Sequence, residues 1–136
     1  MRLVRSISAL PVHDIQRAVE FYSQRLGFSC DVQKDDFARV VRDDVAVDLW
    51  LACDRSWRAR PDALAKAPVK SGAESFLAGT ASCRIEVQGI DALYAEYKLQ
   101  GVLYGPDTLV EETPWGTREF PALDLERNLL SLYEVC

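Results

Sequence analysis

Histidine is almost missing from this chain: the sole one in the 136 residues is His13. Divalent transition-metal sites draw on imidazole, thiolate and carboxylate groups, and one imidazole cannot supply the usual histidine pair. A serine or cysteine nucleophile needs a base within hydrogen-bond reach, and His13 is the only imidazole that could serve. Neither a G-x-S-x-G elbow nor a phosphate-cradling P-loop is present. A lone histidine beside a helix start is more simply a surface or capping residue. Cysteine is scarce too. Cys30, Cys53, Cys83 and Cys136 form no CxxC pair, so no zinc-site spacing can be built from them. In a reducing compartment they read as small apolar fillers.

Long apolar runs are also lacking. No stretch approaches the roughly 20 apolar residues needed to cross a bilayer. The opening MRLVRSISALPVHD runs into a charged helix start at Asp14, where a signal peptide would have a small-residue cleavage site. A cytoplasmic protein is expected, with no membrane partner. Basic residues are outnumbered, 16 Lys and Arg against 21 Asp and Glu, for a net charge of -5. Nucleic-acid binders need a basic face, so that class is disfavoured. A cationic partner would be attracted, although a modest negative charge also serves solubility alone.

What is present is a pattern written twice. In SISALPVHDIQRAVEFYSQRLGF, a short apolar stretch precedes a helix whose Ile15, Ala18, Val19, Tyr22 and Leu26 share one face. Asp14 suits the N-cap and Gly27 the stop. In SCRIEVQGIDALYAEYKLQGVLY the rhythm returns at Ile90, Leu93, Tyr94 and Tyr97, with Gly101 as the stop. Val12 and Val87, Ile15 and Ile90, and Tyr22 and Tyr97 stand at the same offset. Strand-like runs follow each helix: FARVV and VAVDLWL in the first half, TLVEE, TREFPAL and NLLSLYEV in the second. The chain therefore reads as one α+β domain of two βαβββ modules, at 1–53 and 80–136, joined by a linker at 54–79. That linker holds Arg55, Arg58, Arg60, Lys66 and Lys70. A connection of this length is either a solvated linker or a functional flap.

Aromatic side chains are the best sign of a site. Trp50 interrupts the polar side of its strand, Phe37 opens a strand, and Trp115 lies between Pro114 and Gly116. Tryptophan at a turn is hard to bury and often packs on a ligand or partner. Flat heteroaromatic ligands stack on such groups, and cationic tails are held by carboxylates and ring faces. Packing of Trp50 and Trp115 in the core or a dimer seam fits the spacing equally well.

Three longer stretches resemble the bleomycin- and phleomycin-binding resistance proteins. They are AVEFYSQRLGFSCDVQKDDFARVVRDDV (Ala18 to Val45), GIDALYAEY (Gly89 to Tyr97), and ETPWGTREF with the following Asp124 and Asn128. The resemblance implies the vicinal-oxygen-chelate fold of the glyoxalase/bleomycin resistance/dioxygenase superfamily, in which paired modules form a curled mixed sheet around a cleft. It implies a homodimer with two ligand grooves shared between chains, and resistance by sequestering bleomycin-type glycopeptides without modifying them. These ligands carry a planar bithiazole and a cationic tail. Carried over to this chain, Asp31, Phe37, Trp115 and Gly116 fall on ligand-groove positions. Phe37 and Trp115 would stack on the bithiazole and Asp31 would attract positive charge. Trp50 lies on a groove strand and joins them by inference.

The chain also departs from the family. Arg84 and Glu86 stand at aromatic positions and are expected to face a wet groove, because a buried unpaired charge is costly. Thr117 is inserted after Gly116, and the family's DPxGN turn reads Asp124-Leu125-Glu126-Arg127-Asn128. Pro11 would be the proline tied to an exchanged N-terminal arm. Metal-using relatives place two histidines and a glutamate where this chain has Ile7, Ser82 and Ser131. No metal or cofactor is therefore expected, and catalysis by a metal-dependent lyase or dioxygenase is the alternative reading.

Overall fold

A computed structural model describes residues 1–52 and 78–136. The linker's five basic residues and Cys53 fall outside the described residues. The first module runs β1 (Ser8–Val12), α1 (Ile15–Gln24), β2 (Ser29–Gln33), β3 (Phe37–Arg42) and β4 (Val45–Leu51). The second runs β5 (Ser82–Glu86), α2 (Ile90–Gln100), β6 (Glu111–Glu112), β7 (Thr117–Leu123) and β8 (Leu129–Val135). Both have the βαβββ order expected from the repeated pattern. One curled sheet was expected; the described strands instead make two four-stranded mixed sheets, ordered β1-β4-β3-β2 and β5-β8-β7-β6. Within each, the first and last strands of the module pair in parallel and the other neighbours are antiparallel. The sheets stay separate because side chains, not backbone ladders, join the modules.

Local chemistry explains the helices. The Asp14 side chain accepts from Arg17 N at 3.0 Å, which satisfies one of the free amides of the first turn. Ile15, Ala18, Val19 and Tyr22 form the buried face of α1. The helix stops at Gln24, short of the buried Leu26, because Gly27 turns the chain at φ 78°. That positive φ favours glycine; a β-carbon at position 27 would also crowd the Arg42 guanidinium, the flexible end of a side chain that can shift. The second helix begins at a glycine with no capping side chain. Glu134 replaces the cap, accepting from Gly89 N at 2.7 Å and Ile90 N at 3.3 Å. TLVEE yields only the two-residue β6. Its first residues are held in a turn, with Thr108 N on Gly105 O and Tyr94 Oη donating to Thr108 O at 2.8 Å.

Strand alternation puts Leu10, Val12, Ala38, Val40, Val47 and Leu49 beneath α1. In the second module Cys83, Phe120, Ala122, Leu130 and Leu132 join Ile90 and Tyr97 in the same continuous core. Burial raises the Cys83 thiol to about 11, as suits a small apolar filler. Cys30 and Cys136 are exposed, so the filler role does not extend to them. They sit on an edge strand and at the last residue, where nothing packs over them.

The modules are bolted together by polar contacts. Tyr22 Oη donates to Asp124 Oδ2 at 2.8 Å, and Asn128 Nδ2 donates to Pro11 O at 2.8 Å. Tyr97 Oη donates to Leu26 O at 2.9 Å, and Arg42 forms a two-pronged ion pair with Glu96 at 2.7 and 3.0 Å. His13 binds Glu126 through both its amide and Nδ1, at 3.0 and 3.1 Å. The lone histidine is thus a half-exposed inter-module tie. No helix among the described residues is long and apolar enough to cross a membrane.

Candidate functional site

Each sheet has one face packed under its helix and one open face. On the first sheet the open face carries Phe37, Arg39 and Val41 from β3 and Ala46, Asp48 and Trp50 from β4, between the buried positions of each strand. Register places Phe37 directly opposite Trp50. Their rings lie 4.6 Å apart at 54°, a tilted pair, and both are half-buried. The next pair along, Arg39 and Asp48, is a two-pronged ion pair at 2.7 and 3.0 Å. That bond to Asp48 is the main reason the Arg39 guanidinium is held above its ordinary value, and Asp31 adds to it. Asp31 sits on the exposed strand β2, at the bulge between Cys30 and Val32. A bulge inserts an unpaired residue and re-aims its side chain. Five side chains thus converge here: the Phe37–Trp50 pair, the Arg39–Asp48 pair beside it, and Asp31 at the rim.

The open face of the second sheet is polar. Arg84 on β5 stands beside Ser131 on β8, and Glu119 on β7 stands opposite Tyr133. The Arg84 guanidinium binds the Glu119 carboxylate, donates to Ser131 Oγ at 3.3 Å and lies 4.5 Å from the Tyr133 ring centre. Arg84 and Glu86 are both exposed, as expected for charged residues at these positions. Only Arg84 joins this group. Glu86 lies at the strand end and lines a cavity of about 630 Å³ between the modules, together with Arg42, Asp44 and Glu96.

Trp115 is 68% exposed. It projects from a turn closed by Thr113 N to Thr117 O at 2.8 Å and by the two threonine hydroxyls at 2.7 Å. Thr117, the extra residue, is what closes this turn. Gly116 follows Trp115 in this turn at a φ of 85°, which disfavours any other residue. Trp115, Glu111, Glu112, Glu119 and Ser131 line a second hollow of about 460 Å³. The structure therefore brings Phe37 and Trp50 together, with Asp31 near them. It places Trp115 and Arg84 on the other sheet of the same chain.

Three residues at these faces were not marked by the sequence: Arg39, Glu119 and Tyr133. Alternation placed Asp48 on the polar side of its strand, but only cross-strand register reveals its partner. Ser82 and Ser131, at the positions where metal-using relatives have ligands, lie on the open face of the second sheet, and Ile7 precedes β1. Among the described residues no three His, Cys, Asp or Glu side chains are grouped so as to hold a metal ion.

Residues 6–132 match the Glyoxalase/Bleomycin resistance protein/Dioxygenase superfamily. Bleomycin resistance proteins of Geobacillus stearothermophilus and Staphylococcus aureus are 44% identical over 132 residues, covering 97% of each chain. Among solved structures, the bleomycin-binding protein of Streptomyces verticillus, complexed with copper(II)-bleomycin, superposes with a TM-score of 0.72 at 25% identity, covering 97% of this chain and 96% of that one. Another bleomycin-binding protein complexed with bleomycin shares the fold, with a TM-score of 0.69 at 19% identity, covering 97% of this chain and 98% of that one.

Proposed function

The chain belongs to the glyoxalase/bleomycin resistance protein/dioxygenase superfamily, and we propose that it confers antibiotic resistance by binding a bleomycin-type or similar flat, cationic ligand without altering it. The observation that carries this reading is the Phe37–Trp50 pair, two aromatic rings held on the open face of a sheet and not sealed in the core. A flat heteroaromatic group gains from stacking on such a surface. Asp31 at the rim and the net charge of -5 favour a ligand with a positive end.

In this reading the protein acts in the cytoplasm as a homodimer. Modules 1–53 and 80–136, joined by 54–79, each offer an open face, and the groove forms where the first module of one protomer meets the second module of its partner. That arrangement brings Trp115 across from Phe37 and sandwiches the ligand between them, with Gly116 shaping the turn. Arg84 and Glu86 form the polar wall. No chemical step on the ligand is required, and no metal enters.

Titration with bleomycin tests the reading directly. Tryptophan fluorescence falls, the melting temperature rises because only the folded state binds, and mass spectrometry recovers the ligand unchanged. Trp115→Ala weakens binding about tenfold or more, a loss of ~1.4 kcal/mol, and leaves the unliganded melting temperature where it was, since the side chain is largely exposed. The absence of any shift well above micromolar bleomycin eliminates that ligand. A ligand recovered with altered mass points instead to catalysis.

A further inference from the structure

On the open face of the second sheet an arginine rests against a tyrosine ring and a carboxylate. A tyrosine ring face and a carboxylate side by side are the elements that hold an organic cation. Here Tyr133 and Glu119 stand directly opposite each other across β7 and β8. Their occupant is the chain's own Arg84, whose guanidinium lies 4.5 Å from the Tyr133 ring centre, bonds to Glu119 and reaches Ser131 Oγ at 3.3 Å. The Glu119 side chain is largely covered, whereas Arg84 is half-exposed and reaches in from the edge strand β5. An edge position and a long, flexible stem allow the guanidinium to swing out without disturbing the ladder.

We propose that Arg84 is a built-in competitor for the positive end of the ligand: the site formed by Tyr133 and Glu119 accepts an organic cation only when the guanidinium leaves. The inference rests on the functional reading above, in which this face lines the ligand groove. It narrows the ligand class. Weakly hydrated cations that lie on the ring while donating to the carboxylate, such as a guanidinium or amidinium, are the groups able to displace it. Strongly hydrated primary ammonium ions are turned away. Selectivity then arises from displacement of a self-ligand, in addition to direct contact.

Two probes and three proteins test this. The probes are a bleomycin bearing its cationic tail and the same bleomycin with a tail ending in a neutral group. The proteins are the wild type, Arg84→Ala, and Arg17→Ala. Arg17 is exposed on α1, and its loss changes the net charge equally. Affinities are read by tryptophan fluorescence. Arg84→Ala is expected to bind the cationic probe about three- to tenfold more tightly, the range expected when a partly desolvated cation–π and carboxylate site is freed. Its affinity for the neutral-tailed probe stays within about twofold. Arg17→Ala leaves both affinities near wild type, which separates site competition from long-range attraction. Weaker cation binding by Arg84→Ala, or equal tightening for both tails, overturns the inference while leaving the functional reading intact. Tightening by Arg17→Ala as large as that by Arg84→Ala also overturns it. Failure of every protein to bind either probe overturns the functional reading and this inference with it. Circular dichroism and the melting temperature check that the half-exposed substitution leaves the fold unchanged.

Discussion

Tyr22 and Tyr97 occupy equivalent places on the two helices, and both are buried, yet they close the seam between the modules in different ways. Tyr22 Oη donates to the buried Asp124 carboxylate, which also accepts from the amides of Glu126 and Asn128 at 2.9 Å and from Asn128 Nδ2 at 3.1 Å. Tyr97 Oη donates to a backbone carbonyl, Leu26 O, beside the half-exposed Arg42–Glu96 ion pair. The difference begins in the turns. Between β7 and β8 the connection 124–128 is long enough to fold inward, with Arg127 at φ 68° and Asn128 reaching Pro11 O. Between β3 and β4 it is only Asp43 and Asp44, with Asp43 at φ 51°. So short a turn cannot reach across. Arg42 spans the gap instead, and the cavity of about 630 Å³ lies beside it. One seam is a satisfied, buried polar network; the other is an ion pair open to solvent. The first should be costly to damage and the second cheap.

The largest expected effect tests this contrast at its centre. Asp124→Ala leaves the Tyr22 hydroxyl and the Asn128 amide without an acceptor in a dry seam, and is expected to cost about 3 kcal/mol or more in urea unfolding. A loss below about 1 kcal/mol would mean that the seam admits water. Next come the tyrosines. Tyr22→Phe removes a hydrogen bond to a carboxylate and should cost about 2 kcal/mol, against about 1 kcal/mol for Tyr97→Phe, whose bond is to a carbonyl. Equal losses would erase the distinction between the seams. Glu96→Gln should cost least, well under ~1 kcal/mol, and lose most of its effect in high salt.

Acid sharpens the same comparison because the two carboxyls shift in opposite directions. Burial raises Asp124 above its ordinary value despite the hydrogen bonds that lower it. A raised carboxyl contributes stability that is complete below its unfolded value of 3.8 and is lost as pH rises through its folded value. The bond from Arg42 holds Glu96 below its ordinary 4.5, so its contribution is present above that value and is lost as pH falls through the lower folded one. As pH drops from 6 towards 4, roughly the ordinary carboxyl range, wild type should gain stability relative to Asp124→Asn. Below that range it should lose its lead over Glu96→Gln. Parallel curves for the two variants would show that the seams titrate alike.

The open faces show how far side-chain patterns carry. Alternation along VAVDLWL placed Trp50 and Asp48 on one side of a strand, and the turn context of Trp115 marked it as hard to bury. Pairing Trp50 with Phe37, or Arg84 with Glu119 and Tyr133, requires knowing which residues stand opposite each other. Register depends on turn length and on hydrogen bonding between strands, and neither is visible in a single run of residues.

By itself the sequence determined the two βαβββ modules, the buried face of α1, the Asp14 cap and the stops at Gly27 and Gly101. All of these follow from local periodicity, capping chemistry and the backbone freedom of glycine. The family resemblance was legible for the same reason, since it lies in contiguous runs. Only the tertiary structure decided that there are two sheets and not one, that Asp124 and Asn128 bolt the second module to Tyr22 and Pro11, and that Arg84 rests against Glu119 and Tyr133. Those arrangements join residues far apart in the chain, and such contacts are selected by packing and by the cost of leaving buried polar groups unpaired, which act only once the modules have met.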